Sequence, residues 1–175
     1  MPSHSEIVVR RARQEDVSSI VLFSAAMALE TEGRELDQER LRKGTVALLT
    51  SAVHGFFMVA EIVQPEPSLI GQLMVTYEWS DWRNAVFWWI QSVYVDPQWR
   101  RQGVYRRMHD TVVALGRADP KVCGIRLYVA QNNQTAQMVY RRVGLSRSLY
   151  DVYEDDFVLK RHDDDRHRAR TKESS

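Results

Sequence analysis

The sequence predicts an α/β (α+β) fold, a central sheet flanked by helices, and three features carry that reading. Short β-branched and aromatic runs alternate with stretches whose apolar residues recur at helical spacing. Some strand-like runs follow one another across turn residues, and others are separated by segments long enough for a helix. The 175 residues fit one domain, and a 44% hydrophobic content suffices for its core.

Taken in order, residues 7 to 12 read as a short strand. Val17, Ile20, Val21, Ser24 and Ala28 then mark a helix ending near Glu30. After Thr31-Glu32-Gly33, the positions Leu41, Val46 and Leu49 suggest a less regular second helix. Phe56 to Val63 and Leu69 to Trp79 have strand composition and are joined by Pro65 to Ser68, which makes them a hairpin. Ser80 to Asn84 forms another turn. Val86 to Val95 is apolar on both alternating faces, as a central strand should be.

Asp96-Pro97 stops that strand, and Val104, Tyr105, Met108, Val112 and Leu115 begin an amphipathic helix, with Arg106, Arg107 and Asp110 on its other side. Asp119-Pro120 ends it, and Ile125 to Val129 is the next strand. Asn133 can cap a helix carrying Ala136, Val139, Tyr140 and Val143, which Gly144 stops. A closing strand or hairpin holds Tyr150, Val152, Tyr153, Phe157 and Leu159. Domain 1–159 then gives way to a charged tail, 160–175, expected to be disordered because Ala169 is its only apolar residue.

Net charge is +1, so no overall field directs the chain to nucleic acid or to an anionic membrane. The arginines at 100, 101, 106, 107, 141 and 142 do not overturn that balance. The single Cys123 excludes an intramolecular disulfide, and the scattered His4, His54, His109, His162 and His167 give no metal-ligand spacing, so no metal is expected. No apolar run approaches the roughly twenty residues of a membrane span, and a cytoplasmic protein is the expectation. No Gly-Lys-Ser/Thr follows the glycine at 103, which argues against a P-loop nucleotidase.

The junction Val93-Tyr94-Val95-Asp96-Pro97 into Arg100-Arg101-Gln102-Gly103-Val104-Tyr105-Arg106 suits a pyrophosphate. A new helix leaves its first N–H groups without partners, its N-terminus carries roughly half a positive charge, Arg100 and Arg101 add full charges, and Gly103 lets a ligand approach the backbone. The alternative is a tight strand-to-helix turn with solvated arginines. Downstream, Leu127-Tyr128-Val129 leads through Gln131-Asn132-Asn133 to Ala136, Tyr140, Gly144 and Leu145.

Together these segments resemble the GCN5-related N-acetyltransferase (GNAT) superfamily. Its Arg/Gln-x-x-Gly-x-Gly/Ala motif is matched by Arg100 and Gly103, with Tyr105 departing from the small residue. Its Asn-x-x-Ala-x-x-x-Tyr-x-x-x-Gly-Phe motif is matched by Asn133, Ala136, Tyr140 and Gly144, with Leu145 replacing the aromatic. Val8 to Ala12 before Glu15-Asp16 is similar to the family's opening. The resemblance covers roughly residues 6 to 158 and implies a mixed, mostly antiparallel sheet of about six to seven strands flanked by about four helices. It also implies that the strands ending at Val95 and Val129 splay apart to admit a pantetheine arm.

The resemblance further implies direct transfer of an acetyl group from acetyl-CoA to a primary amine. Backbone groups of Val93, Tyr94 and Val95 would hold the pantetheine amides, and an N–H near Val95 would polarise the thioester carbonyl. Residues Arg101 to Arg106 would wrap the pyrophosphate, Asn133 would hold the arm, and Tyr140 would protonate the departing thiolate. As an alternative, Tyr140 is an ordinary core tyrosine. The amine must lose its proton: a lysine-like amine near pKa 10.4 needs about 4.6 kcal/mol at pH 7, and an α-amine near 7.8 only about 1. The strand 86–95 holds no carboxylate, which leaves Glu78, acting through water, as the candidate base, or else a strand-end surface residue. Asp96 reads as a turn residue.

Glu30 and Glu32, with Glu35, lie where relatives shape the acceptor cleft and either attract a cationic amine or form a solvated loop. Trp79 and Trp89, with Trp82 and Trp88, either line an aromatic acceptor pocket or fill the core or a dimer contact. A homodimer is compatible with the aromatic closing segment. The rival function is a non-catalytic acyl-CoA-binding sensor or interaction module. The residues that meet an acceptor vary within the fold, so its identity is not readable from the chain.

Overall fold

The computed structural model describes residues 6–64 and 66–159. It divides into two compact units, Met1–Gly144 and Leu145–Ser175. The first unit contains β1 (Ile7–Arg11), α1 (Val17–Glu32), α2 (Gln38–Thr50), β2 (Gly55–Ile62), β3 (Ser68–Ser80), β4 (Ala85–Val95), α3 (Val104–Ala118), β5 (Val122–Leu127) and α4 (Gln134–Arg142). The strands lie side by side in chain order; the first three pairings are antiparallel and β4–β5 is parallel.

Local chemistry sets the helix ends. Gly33 (φ +62°) closes α1 in the left-handed conformation, and the Gly33 and Arg34 amides satisfy the last-turn carbonyls of Leu29 and Ala28. Asp37 caps α2 by accepting from the Arg40 amide at 2.7 Å. Between the sheet and α3, Asp96 accepts from the Gln98 amide at 2.9 Å, which folds Pro97–Trp99 into a single 3₁₀ turn.

Strand alternation produces two cores. Phe56, Met58, Ile70, Leu73, Val75, Trp88 and Ile90 point to one side and pack against Val104, Met108 and Val112 of α3. Phe57 and Val59 point to the other side, against Ile20 of α1 and Leu48 of α2. Each fully buried aliphatic side chain contributes about 1.5–3 kcal/mol, so it is this sandwich that holds the sheet and fixes its register.

Five strands are present among the described residues rather than six or seven. The difference lies in the segment 145–159, where the expected closing strand does not form. Asp151 and Glu154-Asp155-Asp156 interrupt the apolar alternation. Side chains also take backbone donors that a ladder would need: Ser148 Oγ accepts from the Tyr150 amide, and Asp156 accepts from the Val158 and Leu159 amides at 2.8 and 2.7 Å. β5 begins at Val122 and ends at Leu127, displaced from the expected 125–129. The turn at Asp119, whose carbonyl accepts from the Val122 amide, feeds directly into it. The expected disordered tail 160–175 lies outside the described residues.

Arg10 ties the sheet edge to α1. Its guanidinium grips Asp16 with two bonds, 2.7 and 3.1 Å, and donates Nε to Glu61 at 2.7 Å. Asp16, only 6% exposed, also accepts from the Arg13 amide. Burial alone would raise the Asp16 carboxyl. Arg10 and the Arg13 amide outweigh it and hold the group below its usual 3.8, so its contribution is complete above that value and is lost as the pH falls towards the lower folded one. Asp16→Asn is expected to cost about 3 kcal/mol at neutral pH and to flatten the acid limb of stability, read from urea unfolding across pH.

Candidate active site

The site begins with an irregularity in β4. Met74 pairs with Gln91 and Gln72 with Tyr94, so the single residue Leu73 faces both Ser92 and Val93. Ser92 absorbs the extra length at φ +49°. Pairing between β4 and β5 stops at Ile90–Leu127, immediately before this bulge. Beyond it, the β5-facing side of 91–95 has no strand partner. The Asp96 amide donates to Ile70, on the β3 side, so by alternation the N–H of Val95 points into the opening gap.

The same strand delivers the chain to the N-terminus of α3. Arg101 (φ +63°) and Gly103 (φ +79°) turn the backbone so that no hydrogen bond within the described chain reaches the amides of 101–106. These partnerless donors, at the positive end of a 15-residue helix, form an anion cradle. The side chains of Arg101, Gln102 and Arg106 are exposed; Gln102 bonds back to the Gln98 carbonyl, and Arg106 lies 3.7 Å from Asp110. Val104 is buried in the core below the cradle.

Arg100 is directed elsewhere. Its Nε donates to the Val95 carbonyl at 2.9 Å and its Nη2 to Glu30 at 2.7 Å, while the Tyr94 hydroxyl donates to the other Glu30 oxygen at 3.2 Å. Glu30 of α1 thereby clamps the end of β4. Burial first, then the Glu30 carboxylate, raises the Tyr94 hydroxyl pKa. Glu32 is exposed and lies 3.9 Å from Arg34, apart from this cluster.

Tyr105 does not crowd the cradle. Its ring turns into the junction of α3 and α4, edge-on to Tyr140 at 5.6 Å and beside His109 at 5.9 Å. Its hydroxyl and His109 Nε2 are buried without hydrogen-bond partners, while His109 Nδ1 lies 3.5 Å from the Asp110 carboxylate; desolvation outweighs that carboxylate and lowers the His109 pKa. Burial likewise raises the hydroxyl pKa of Tyr140. Asn133 caps α4 with its side-chain oxygen accepting from the Ala136 amide at 3.0 Å.

On the α1–α2 side of the sheet, the same ladder aligns a polar row across β3, β4 and β5. Thr76 pairs with Trp89, Trp89 with Arg126, and Glu78 with Phe87. One Glu78 oxygen accepts from Arg126 Nη1 at 2.6 Å and the other from Trp89 Nε1. Gln91 donates to Thr76 and accepts from the Tyr128 hydroxyl at 3.1 Å, bridging the strands where they begin to part. Trp79, next to Glu78 in the strand, necessarily points to the opposite face and is 64% exposed. Trp79 and Trp89 therefore do not share a pocket.

Sequence reading missed Ser92, Gln91, Arg126 and Tyr128. A serine at positive φ carries no local signature, and the other three become neighbours only through the β4–β5 register. Among the described residues no His/Cys/Asp/Glu group is placed to hold a metal, and no helix is long and apolar enough to cross a membrane.

The model of the acetyltransferase (GNAT) family matches residues 15–145. A possible acetyltransferase from Clostridium difficile 630 is 38% identical over 87% of this chain and 99% of its own, with a TM-score of 0.80. A "predicted acetyltransferase" from Clostridium acetobutylicum, solved with acetyl-CoA, is 17% identical over 86% of this chain and 96% of its own, with a TM-score of 0.69. No curated protein matches. With a bulged β4 parting from β5, an amide cradle at α3 and a family match across most of its length, this chain belongs to the acetyltransferase (GNAT) family and so to the acyltransferases.

Proposed function

We propose that the protein transfers the acetyl group of acetyl-CoA directly to a primary amine. The observation that carries this reading is the continuity of the β4–β5 gap with the partnerless amides of 101–106. A diphosphate fits those amides with Arg101 beside them, and a pantetheine arm fits the gap, where the Val95 N–H and the Asn133 amide nitrogen are the donors. Acetyl-CoA bound to a structural relative supports the same assignment.

The chemistry follows from charge. As the amine nitrogen bonds to the acyl carbon, negative charge grows on the carbonyl oxygen, and the Val95 N–H stabilises it in place without reorganisation. The C–S bond then breaks and the sulfur takes a proton. Tyr140 on α4 supplies it, since burial raises its hydroxyl pKa and keeps the proton in place at neutral pH. The proton shed by the amine leaves through water to Glu78. Both Glu78 oxygens already accept a hydrogen bond, so they offer only their remaining lone pairs, which favours acceptors whose amine is easily neutralised.

Tyr140→Phe is expected to lower kcat roughly 10²- to 10⁴-fold with unchanged thermal unfolding and unchanged acetyl-CoA affinity. Because burial raises the Tyr140 pKa, any alkaline loss of kcat due to its ionisation is expected at a higher pH than for an ordinary tyrosine, read by comparing the pH profiles of wild type and Tyr140→Phe. Gly103→Ala forces a side chain into φ +79° and is expected to cost about 1–2 kcal/mol of stability. It should also weaken acetyl-CoA binding in calorimetry. An amine panel with acetyl-CoA and free-thiol detection tests the function itself: binding without turnover of any amine would instead mark a CoA-binding module.

A further inference from the structure

We infer that the acceptor is a small amine bearing a carboxylate, an amino-acid-type zwitterion whose carboxylate is held by Arg126. The inference rests on the acetyltransferase reading and deepens it. α3 and its anion cradle lie on one side of the sheet, so a thioester threaded through the β4–β5 gap presents its acyl group to the other side, the one carrying α1 and α2. The side chains beside that exit are Thr76, Gln91, Trp89 and Tyr128, all uncharged, and the pair Glu78–Arg126.

Arg126 is fixed as a receptor would be. Glu78 holds Nη1 at 2.6 Å, and the guanidinium carbon stacks 3.6 Å from the Phe87 ring centroid and 6.0 Å from that of Trp89. Phe87 can lie there only because position 124 is glycine: a Cβ at Gly124 would come within 2.7 Å of the ring. Nε and Nη2 make no hydrogen bond with the described residues, and the side chain is about one-third exposed. A planar guanidinium with two adjacent free donors and an aromatic shelf matches a carboxylate in bidentate geometry.

Charge favours the same occupant. A polycationic amine would set one of its charges against Arg126. A zwitterion instead meets Arg126 with its carboxylate and Glu78 with its ammonium, opposite to opposite.

The test compares full-length protein acting on the common L-amino acids, their carboxamides, spermidine and a lysine-containing peptide, with acetyl-CoA and thiol detection. Carboxylated acceptors are expected to exceed their carboxamides at least 10-fold in kcat/KM, although the amides have the less basic amines. Arg126→Gln should raise KM for the carboxylated acceptor about 10- to 100-fold and, because Arg126 also holds Glu78, cost the carboxamide a smaller factor, so that the acid-over-amide preference in kcat/KM falls at least 10-fold. Arg126→Lys, which keeps the charge and loses the fork, should retain part of the preference; matching thermal unfolding shows both variants folded. Acetylation of carboxamides or spermidine as well as the acids, or equal losses on acid and amide in Arg126→Gln, would overturn the inference alone. Failure to acetylate any amine would overturn the acetyltransferase reading beneath it.

Discussion

One extra residue in β4 governs the site. An unbulged β4 would continue its parallel ladder with β5, and the backbone donors that face the gap would be consumed by the neighbouring strand. At Ser92 the chain enters positive φ, the strand bends, and pairing with β5 ends at Ile90. The two strands part while β4 keeps its ladder to β3, which holds the unpaired edge rigid. That edge offers N–H groups fixed in direction, the kind of preorganised dipole that stabilises developing charge most efficiently.

Rigidity at the far end of β4 comes from an ionic clamp. Glu30 holds both Arg100 and the Tyr94 hydroxyl, and Arg100 in turn holds the Val95 carbonyl. Arg100 thus directs its charge to the protein, fixing the strand end from which the first turn of α3 departs. The donors left without partners there are the backbone amides of 101–106, with Arg101 beside them. Those backbone donors are positioned by α3 and carry no side-chain entropy to lose.

The departure at position 105 finds its explanation in the aromatic junction between α3 and α4. The family's small residue lets the helix sit close to its ligand. Here the large ring turns away from the cradle and packs edge-on against Tyr140, with His109 behind it. α4 has no buried residue among its nine and is otherwise lightly anchored, so this contact is a principal hold on the helix bearing the candidate acid. The Tyr105 hydroxyl is buried there without a partner, and burial likewise raises the pKa of Tyr140.

The linear sequence determined whatever depends on local chemistry and period. α1 to α4, the β2–β3 hairpin, β4 as a strand paired on both sides though next to the edge, the stop at Asp96-Pro97, the Asn133 cap and the glycine at 103 were all legible, because helical spacing, strand alternation, caps and turn residues act over a few neighbours. The apolar residues of 145–159 misled for the same reason, since composition alone does not supply a ladder partner. Only tertiary structure decided the register between β3, β4 and β5, which sets Glu78, Trp89 and Arg126 in one row and sends Trp79 to the other face. It also decided the positive φ at Ser92 and the partners of Arg100. These depend on residues tens of positions apart, brought into register by burial of two opposite faces, and no local pattern along the chain encodes such a pairing.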